Sequence, residues 1–266
     1  MNRHLTRHTP YTTQLQAGLG LVNETKTLLE LWSPGLSANQ LRQLALESGR
    51  FPTVTARRLR NIVTEGFAPR YLVANGAPAA HLKQLSTTLS TARLTEFMLL
   101  FTCRANPILA DFVRQVYWPR YAGGYSQIAN EDALGFVQRG IDDGKTVKRW
   151  SENTVRRVSG YLTGCCADYG LLERGQRSSR RILPFRISPV MAAYLAYELH
   201  FADLGDNALL IHEDWQLFGL AREDVLEEIK RLSLQGLLIV QAAGDAIRIS
   251  WKLPDMEALC DVLAQG

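Results

Sequence analysis

Apolar residues recur at three- and four-residue spacing along nearly the whole chain, while period-two alternation shows in only two stretches. The pattern predicts a mainly α protein, a helical bundle carrying two short β-hairpins. Asn23 is expected to open a helix through Trp32, which Ser33-Pro34-Gly35 ends. Ser37 caps a second, with Leu41, Leu44 and Ala45 on one face and Gly49 as its stop. After the turn Arg50-Phe51-Pro52, Thr53 or Thr55 caps a third to about Glu65, with Leu59, Ile62 and Val63 inward. From Ala77 to Tyr121 the spacing predicts more helices: Pro78 near a start, Leu82, Leu85 and Leu89 on one face, then Phe97, Leu100 and Phe101, then a restart at Asn106-Pro107. Phe112, Tyr117, Trp118 and Tyr121 sit at helical spacing without convergent polar groups, which reads as core.

A helix is expected from about Asn130 to Ile141, and another from the cap Ser151 to about Tyr169, ended by Gly170. Leu171–Glu173 and Ile182–Ile187 then read as short strands flanking a basic loop. A helix followed by a basic hairpin is how a winged helix ends. A second unit of the same shape follows: helices at Pro189–Asp203 and Ala221–Leu234, and strands Leu237–Val240 and Ile247–Trp251 joined across Gly244-Asp245. This divides the chain into a basic helix-turn-helix-like module (1–70), a helical scaffold (71–124), a basic winged-helix-like module (125–187) and an acidic winged-helix-like module (188–266).

Charge sharpens that division. The net charge of +4 averages over opposite parts: nine Lys/Arg against four Asp/Glu in 1–70, six against six in 71–144, ten against three in 145–186, and five against thirteen in 187–266. Two basic segments suit a polyanion and the acidic end suits a protein partner. In the last module Glu223, Asp224, Glu227 and Glu228 crowd the helix that would enter a DNA groove, so that module is expected to bind protein or pack. With 266 residues, 46% of them hydrophobic, the chain can bury a core without staples, which excludes disorder and disulfide scaffolds. The four cysteines show no C-x-x-C spacing, the N-terminus lacks the apolar stretch of a signal peptide, and the apolar passage Leu94–Ala110 is interrupted by Glu96, Arg104 and Pro107. A cytoplasmic protein without membrane contact is expected.

Candidate chemistry concentrates in arginine. Arg174, Arg177, Arg180, Arg181 and Arg186 fall within thirteen residues, preceded by Lys145, Lys148, Arg149, Arg156 and Arg157. A wing so charged can follow a phosphate backbone, and the neighbouring helix N-terminus offers free N–H groups. Arg57, Arg58, Arg60 and Asn61 lie near the start of the third helix, and their donor forks match guanine and adenine edges. The stretch Gly140-Ile141-Asp142-Asp143-Gly144-Lys145-Thr146 resembles a phosphate-binding loop but has three residues between its glycines, two of them Asp, where four are needed. The five histidines have no metal-ligand spacing, Cys165-Cys166 reads as core, and His212-Glu213-Asp214 reads as an exposed helix start. No catalytic constellation is visible, so neither an enzyme nor a cofactor or metal is expected.

Three pieces in order resemble the BrxA family of BREX (bacteriophage exclusion) systems: Gly18-Leu-Gly-Leu-Val-Asn-Glu-Thr, Pro52-Thr-Val-Thr-Ala-Arg-Arg-Leu-Arg-Asn-Ile-Val-Thr and Lys148-Arg-Trp-Ser-Glu-Asn-Thr-Val-Arg-Arg-Val. The resemblance spans about residues 11–190. It implies a non-enzymatic, mostly helical component of a phage-defence island that binds double-stranded DNA and works beside other BREX proteins, with Arg57, Arg58, Arg60, Arg156 and Arg157 in the matching motifs. Two other roles stay open: a scaffold that docks other defence components without touching DNA, and a transcriptional regulator that reads one operator.

Overall fold

The computed structural model describes residues 9–175, 178–243 and 246–265. The described residues are mostly helical, as the apolar spacing requires. A 3-10 turn, Gln14–Ala17, leads to α1 (Val22–Leu31) and α2 (Ala38–Glu47), then to a rod built of α3 (Ala56–Asn61), a π-helical stretch (Ile62–Phe67) and α4 (Ala68–Tyr71). The middle holds α5 (Ala77–Leu85), α6 (Thr91–Ala105) and α7 (Pro107–Phe112), which a π-helical stretch (Val113–Tyr117) joins to α8 (Trp118–Ala122). Next come β1 (Gln127–Ala129), α9 (Asn130–Asp142), α10 (Glu152–Asp168) and β2 (Ser179–Arg181). The chain finishes with α11 (Pro189–Phe201), α12 (Asp206–Leu210), α13 (Arg222–Leu234), β3 (Leu238–Ala243), β4 (Ala246–Trp251) and α14 (Met256–Ala264).

Side-chain oxygens set many of the helix starts. Ser37 Oγ accepts from Gln40 N while Gln40 Oε1 accepts from Ser37 N, a reciprocal box that satisfies two orphan donors of α2. Thr55 rather than Thr53 caps α3, and Ser90, Ser151 and Ser188 cap α6, α10 and α11. Asn23 does not cap: it lies inside α1, whose N-cap is Leu21 in the left-handed region. The third helix also runs past Glu65 to Tyr71. Each π-helical stretch lies just upstream of a proline, Pro69 in α4 and Pro119 in α8, and a widened turn shifts the bonding pattern where a proline has no N–H to give. Leu44 is 40% exposed, so Leu41 and Ala45 alone carry the inner face of α2.

The first sheet differs from expectation. β2 pairs antiparallel with β1, placing Arg180 opposite Ile128, and the expected hairpin between 171–173 and 182–187 contracts to one bridge, Leu172–Ile182. Glu173 N donates to Arg181 O at 2.9 Å and Leu183 N to Leu171 O at 3.0 Å, so the chain after α10 lies on the other side of β2. A three-residue partner lying some fifty residues upstream is too short for alternation to reveal. The second sheet pairs as expected, with Val240 opposite Ile249; its turn, Gly244-Asp245, lies outside the described residues.

One cluster of buried apolar side chains runs from Tyr11 to Leu263. Phe112 and Tyr117 belong to it, Trp118 packs at its edge, and Tyr121 is exposed. The acidic end is bolted to the scaffold by arginines: the Arg104 guanidinium binds Glu198 and Asp214, and Arg114 binds Glu213. Asp214 is therefore a buried ion-pair partner and not part of an exposed helix start. Glu96, also buried, accepts from Ser188 N at 2.8 Å and holds the start of α11. No helix among the described residues is long and apolar enough to cross a membrane.

Candidate nucleic-acid interface

The short strap Gly18-Leu19-Gly20-Leu21 joins the two basic motifs, and it is built on near-zero clearance. A Cβ on Gly20 would lie 2.5 Å from Asp168 Cβ, and one on Gly18 2.8 Å from Arg58 Nη2. In return Leu19 fills the space above Gly164 of α10, and Leu21 the space above Gly66 of the π-helical stretch. Leu19 and Leu21 both take left-handed backbone angles, a strained choice that the surroundings enforce. Gly20 N donates to Asp168 Oδ2 at 3.0 Å, and the buried Arg70 guanidinium donates to Leu19 O at 2.8 Å and Gly20 O at 3.3 Å. Tyr169 adds a hydroxyl bond to Gly20 O at 3.1 Å. The strap thereby fixes α10 against the α3 rod.

Two hollows open on the surface so formed. The first, of about 390 Å³, is lined by Arg57, Arg60 and Asn61 of α3 together with Gln16, Glu65 and Tyr161 of α10. The second, of about 570 Å³, includes Lys148, Arg149, Trp150, the α10 cap Ser151, Thr154 and Arg157, with Thr12 and Thr13 beside them. Arg157 and Tyr161 stand four residues apart on α10, hence on one face, so the hollows are neighbours along that helix. Arg156 is exposed on the same helix and lies 3.7 Å from Glu152 one turn earlier. Arg149 lies 3.6 Å from Asp142 with both side chains mostly in water, an arrangement worth little to stability and easily exchanged for phosphate. Arg58 departs from expectation: it is half-buried against Gly18 and lines neither hollow, because it borders the inward stripe of Leu59 and Ile62.

The basic segment after α10 divides by strand register. Arg180 shares the inner face with Ile128, and its Nη1 donates to Glu173 O at 3.1 Å, so it braces this segment instead of facing solvent. Arg181 points outward, 4.0 Å from Glu173, and lines a separate hollow with Gln127, Ser178 and Ser179. Arg174 is exposed, and Arg177 lies outside the described residues. Lys145 pairs with Asp111 at 3.0 Å, while Arg186, mostly in water, lies 3.6 Å from Glu228 of α13, a carboxylate that Arg231 also holds. Sequence reasoning missed Gln16, Tyr161 and the hydroxyls of Thr12 and Thr13. The signal for them was the glycine spacing of the strap, which has meaning only once its seat on α10 is known.

Gly144 ends α9 in a left-handed turn, so the loop-like motif before Lys145 is a helix terminus. Burial pushes the Cys165 thiol up to about 12 and raises Cys166 well above its ordinary range, which leaves no thiolate near neutral pH. No metal-ligating cluster is found among the described residues.

The BrxA family profile matches residues 9–198. The chain belongs to the BrxA family. That stretch contains the strap, both hollows and the basic segment after α10, and membership places the chain among components of BREX phage-defence systems. The search of curated proteins finds no match. Among solved structures, the crystal structure of an uncharacterized protein from Magnetospirillum magneticum is similar at TM-score 0.55 and 15% identity, over 72% of this chain and 95% of that one. This likeness is one of fold.

Proposed function

We propose that this BrxA-family chain binds duplex DNA as a non-enzymatic part of the defence system, through phosphate contacts with little sequence preference. The observation that carries the reading is the strap-joined surface on which Arg57, Arg60, Lys148, Arg149, Arg156 and Arg157 are exposed with only loosely held carboxylates nearby. Such cations exchange condensed counterions for phosphate contacts, which supplies affinity independent of sequence. The α10 N-terminus adds N–H groups beside Lys148 and Arg149. The order β1, α9, α10 and then the paired segments 171–173 and 179–183 is compatible with a winged helix, a reading in which α10 faces the groove with Asn153, Arg156 and Arg157 outward.

Arginine pairing also separates this surface from the acidic end. The tail carboxylates Glu198, Glu213, Asp214 and Glu228 are held by Arg104, Arg114, Arg186 and Arg231, so they do not neutralise the proposed site. The test is fluorescence anisotropy with a random-sequence duplex. Binding that matches a duplex from the protein's own promoter supports the reading. No binding at 50 mM salt with micromolar protein, roughly the non-specific range, refutes it.

A further inference from the structure

Helix α10 contains two glycines in its middle, and only one has a packing reason. A Cβ on Gly164 would lie 2.9 Å from Leu19 Cδ1, so the strap excludes a side chain there. A Cβ on Gly160 would meet nothing within 4 Å, the residue is exposed, and its φ is not positive. A helix-interior glycine of this kind lowers stability relative to alanine, because the unfolded chain has more freedom to lose. No atom of the described residues occupies the space a Cβ would take, so the opening at Gly160 faces away from the protein.

The surroundings indicate what lies there. Asn153, Arg156 and Arg157 precede Gly160 by seven, four and three residues and share its face, while Tyr161 beside it lines the hollow of Arg57 and Arg60. Gly160 is thus a bare patch of main chain with Arg156 and Arg157 one turn before it on the same face. We propose that the sugar-phosphate backbone of a bound duplex lies directly against α10 at Gly160, with Arg156 and Arg157 on either side of the contact. This rests on the duplex-binding reading and adds to it the point of closest approach. The helical N–H groups there are already bonded, so the contact is one of van der Waals fit and Cα–H···O approach, and any side chain holds the strand away.

The experiment measures Gly160→Ala and Gly160→Gln beside the wild type, by anisotropy with a random-sequence duplex across salt concentrations and by thermal melting. Gly160→Ala should melt about 2 °C higher. Affinity should fall in the order wild type, Ala, Gln, by on the order of tenfold for Gln, with an unchanged salt slope because no cation is removed. Equal affinity across the series, in a protein whose binding is weakened by Arg57→Ala and Arg157→Ala, overturns the inference and leaves the duplex-binding reading standing. A lower melting temperature for Gly160→Ala also overturns it, since the glycine would then be structural. A wild type that binds no duplex overturns both.

Discussion

Removing Arg57, Arg60 and Arg157 together should flatten the salt dependence of DNA binding by half. Six exposed cations belong to the proposed surface: Arg57 and Arg60 in the first hollow, Lys148, Arg149 and Arg157 in the second, and Arg156 on the same helix, α10. If each neutralises one phosphate, log K falls against log salt with a slope of about −5, so affinity drops on the order of a thousandfold between 50 and 200 mM. With three alanines the slope should be about −3 and the drop over the same interval about fortyfold. The folded state should be preserved, because all three side chains line open hollows and none braces the strap. Anisotropy titrations of both proteins at four salt concentrations give the slopes, and matching urea midpoints confirm equal folding. Parallel slopes would refute the placement of the interface. A flattening produced instead by Arg174→Ala with Arg181→Ala would move it to the wing.

Other outcomes follow from buried groups. Desolvation lowers the His81 pKa in the fold, where its ring Nδ1 lies 2.8 Å from the Tyr194 hydroxyl. The unfolded chain then binds more protons, so stability should fall as pH drops below about 6.5, and His81→Asn should reduce that fall in urea midpoints measured from pH 7.5 to 5. Glu96→Ala would leave the buried Ser188 N–H without its acceptor and should cost about 2 kcal/mol by urea denaturation, with Glu96→Gln costing less because an acceptor oxygen remains. A Glu96→Ala protein as stable as wild type would contradict that bond. Cys103, Cys165, Cys166 and Cys260 are all buried with thiols raised by desolvation, so a thiol reagent at pH 7.5 should label none before unfolding. Rapid labelling of Cys165 or Cys166 would contradict the packing of α10.

Much of the fold was legible because it depends on local chemistry. Ser37, Ser151 and the Asn106-Pro107 restart act on neighbours within a turn, and the sequence displays those neighbours. What escaped depends on partners far along the chain. β1 becomes a strand only because 179–181 lies beside it, and Leu21 caps α1 in a left-handed conformation only because Gly66 admits its side chain. The candidate site shows the same split. Charge density marked the segments that line the hollows, yet residue type alone could not separate Arg57 and Arg60 in the hollow from Arg58 against Gly18, or outward Arg181 from inward Arg180. Helical register and strand pairing decide those orientations, and the strand pairing was the part misread.

The strap also dictates when the basic surface can exist during synthesis. The seat of Gly18–Leu21, from Gly164 to Tyr169, is made nearly 150 residues after the strap itself. A nascent fragment ending before that point carries Arg57 and Arg60 with no α10 to set them against, so polyanion binding should begin only on chains long enough to close this contact.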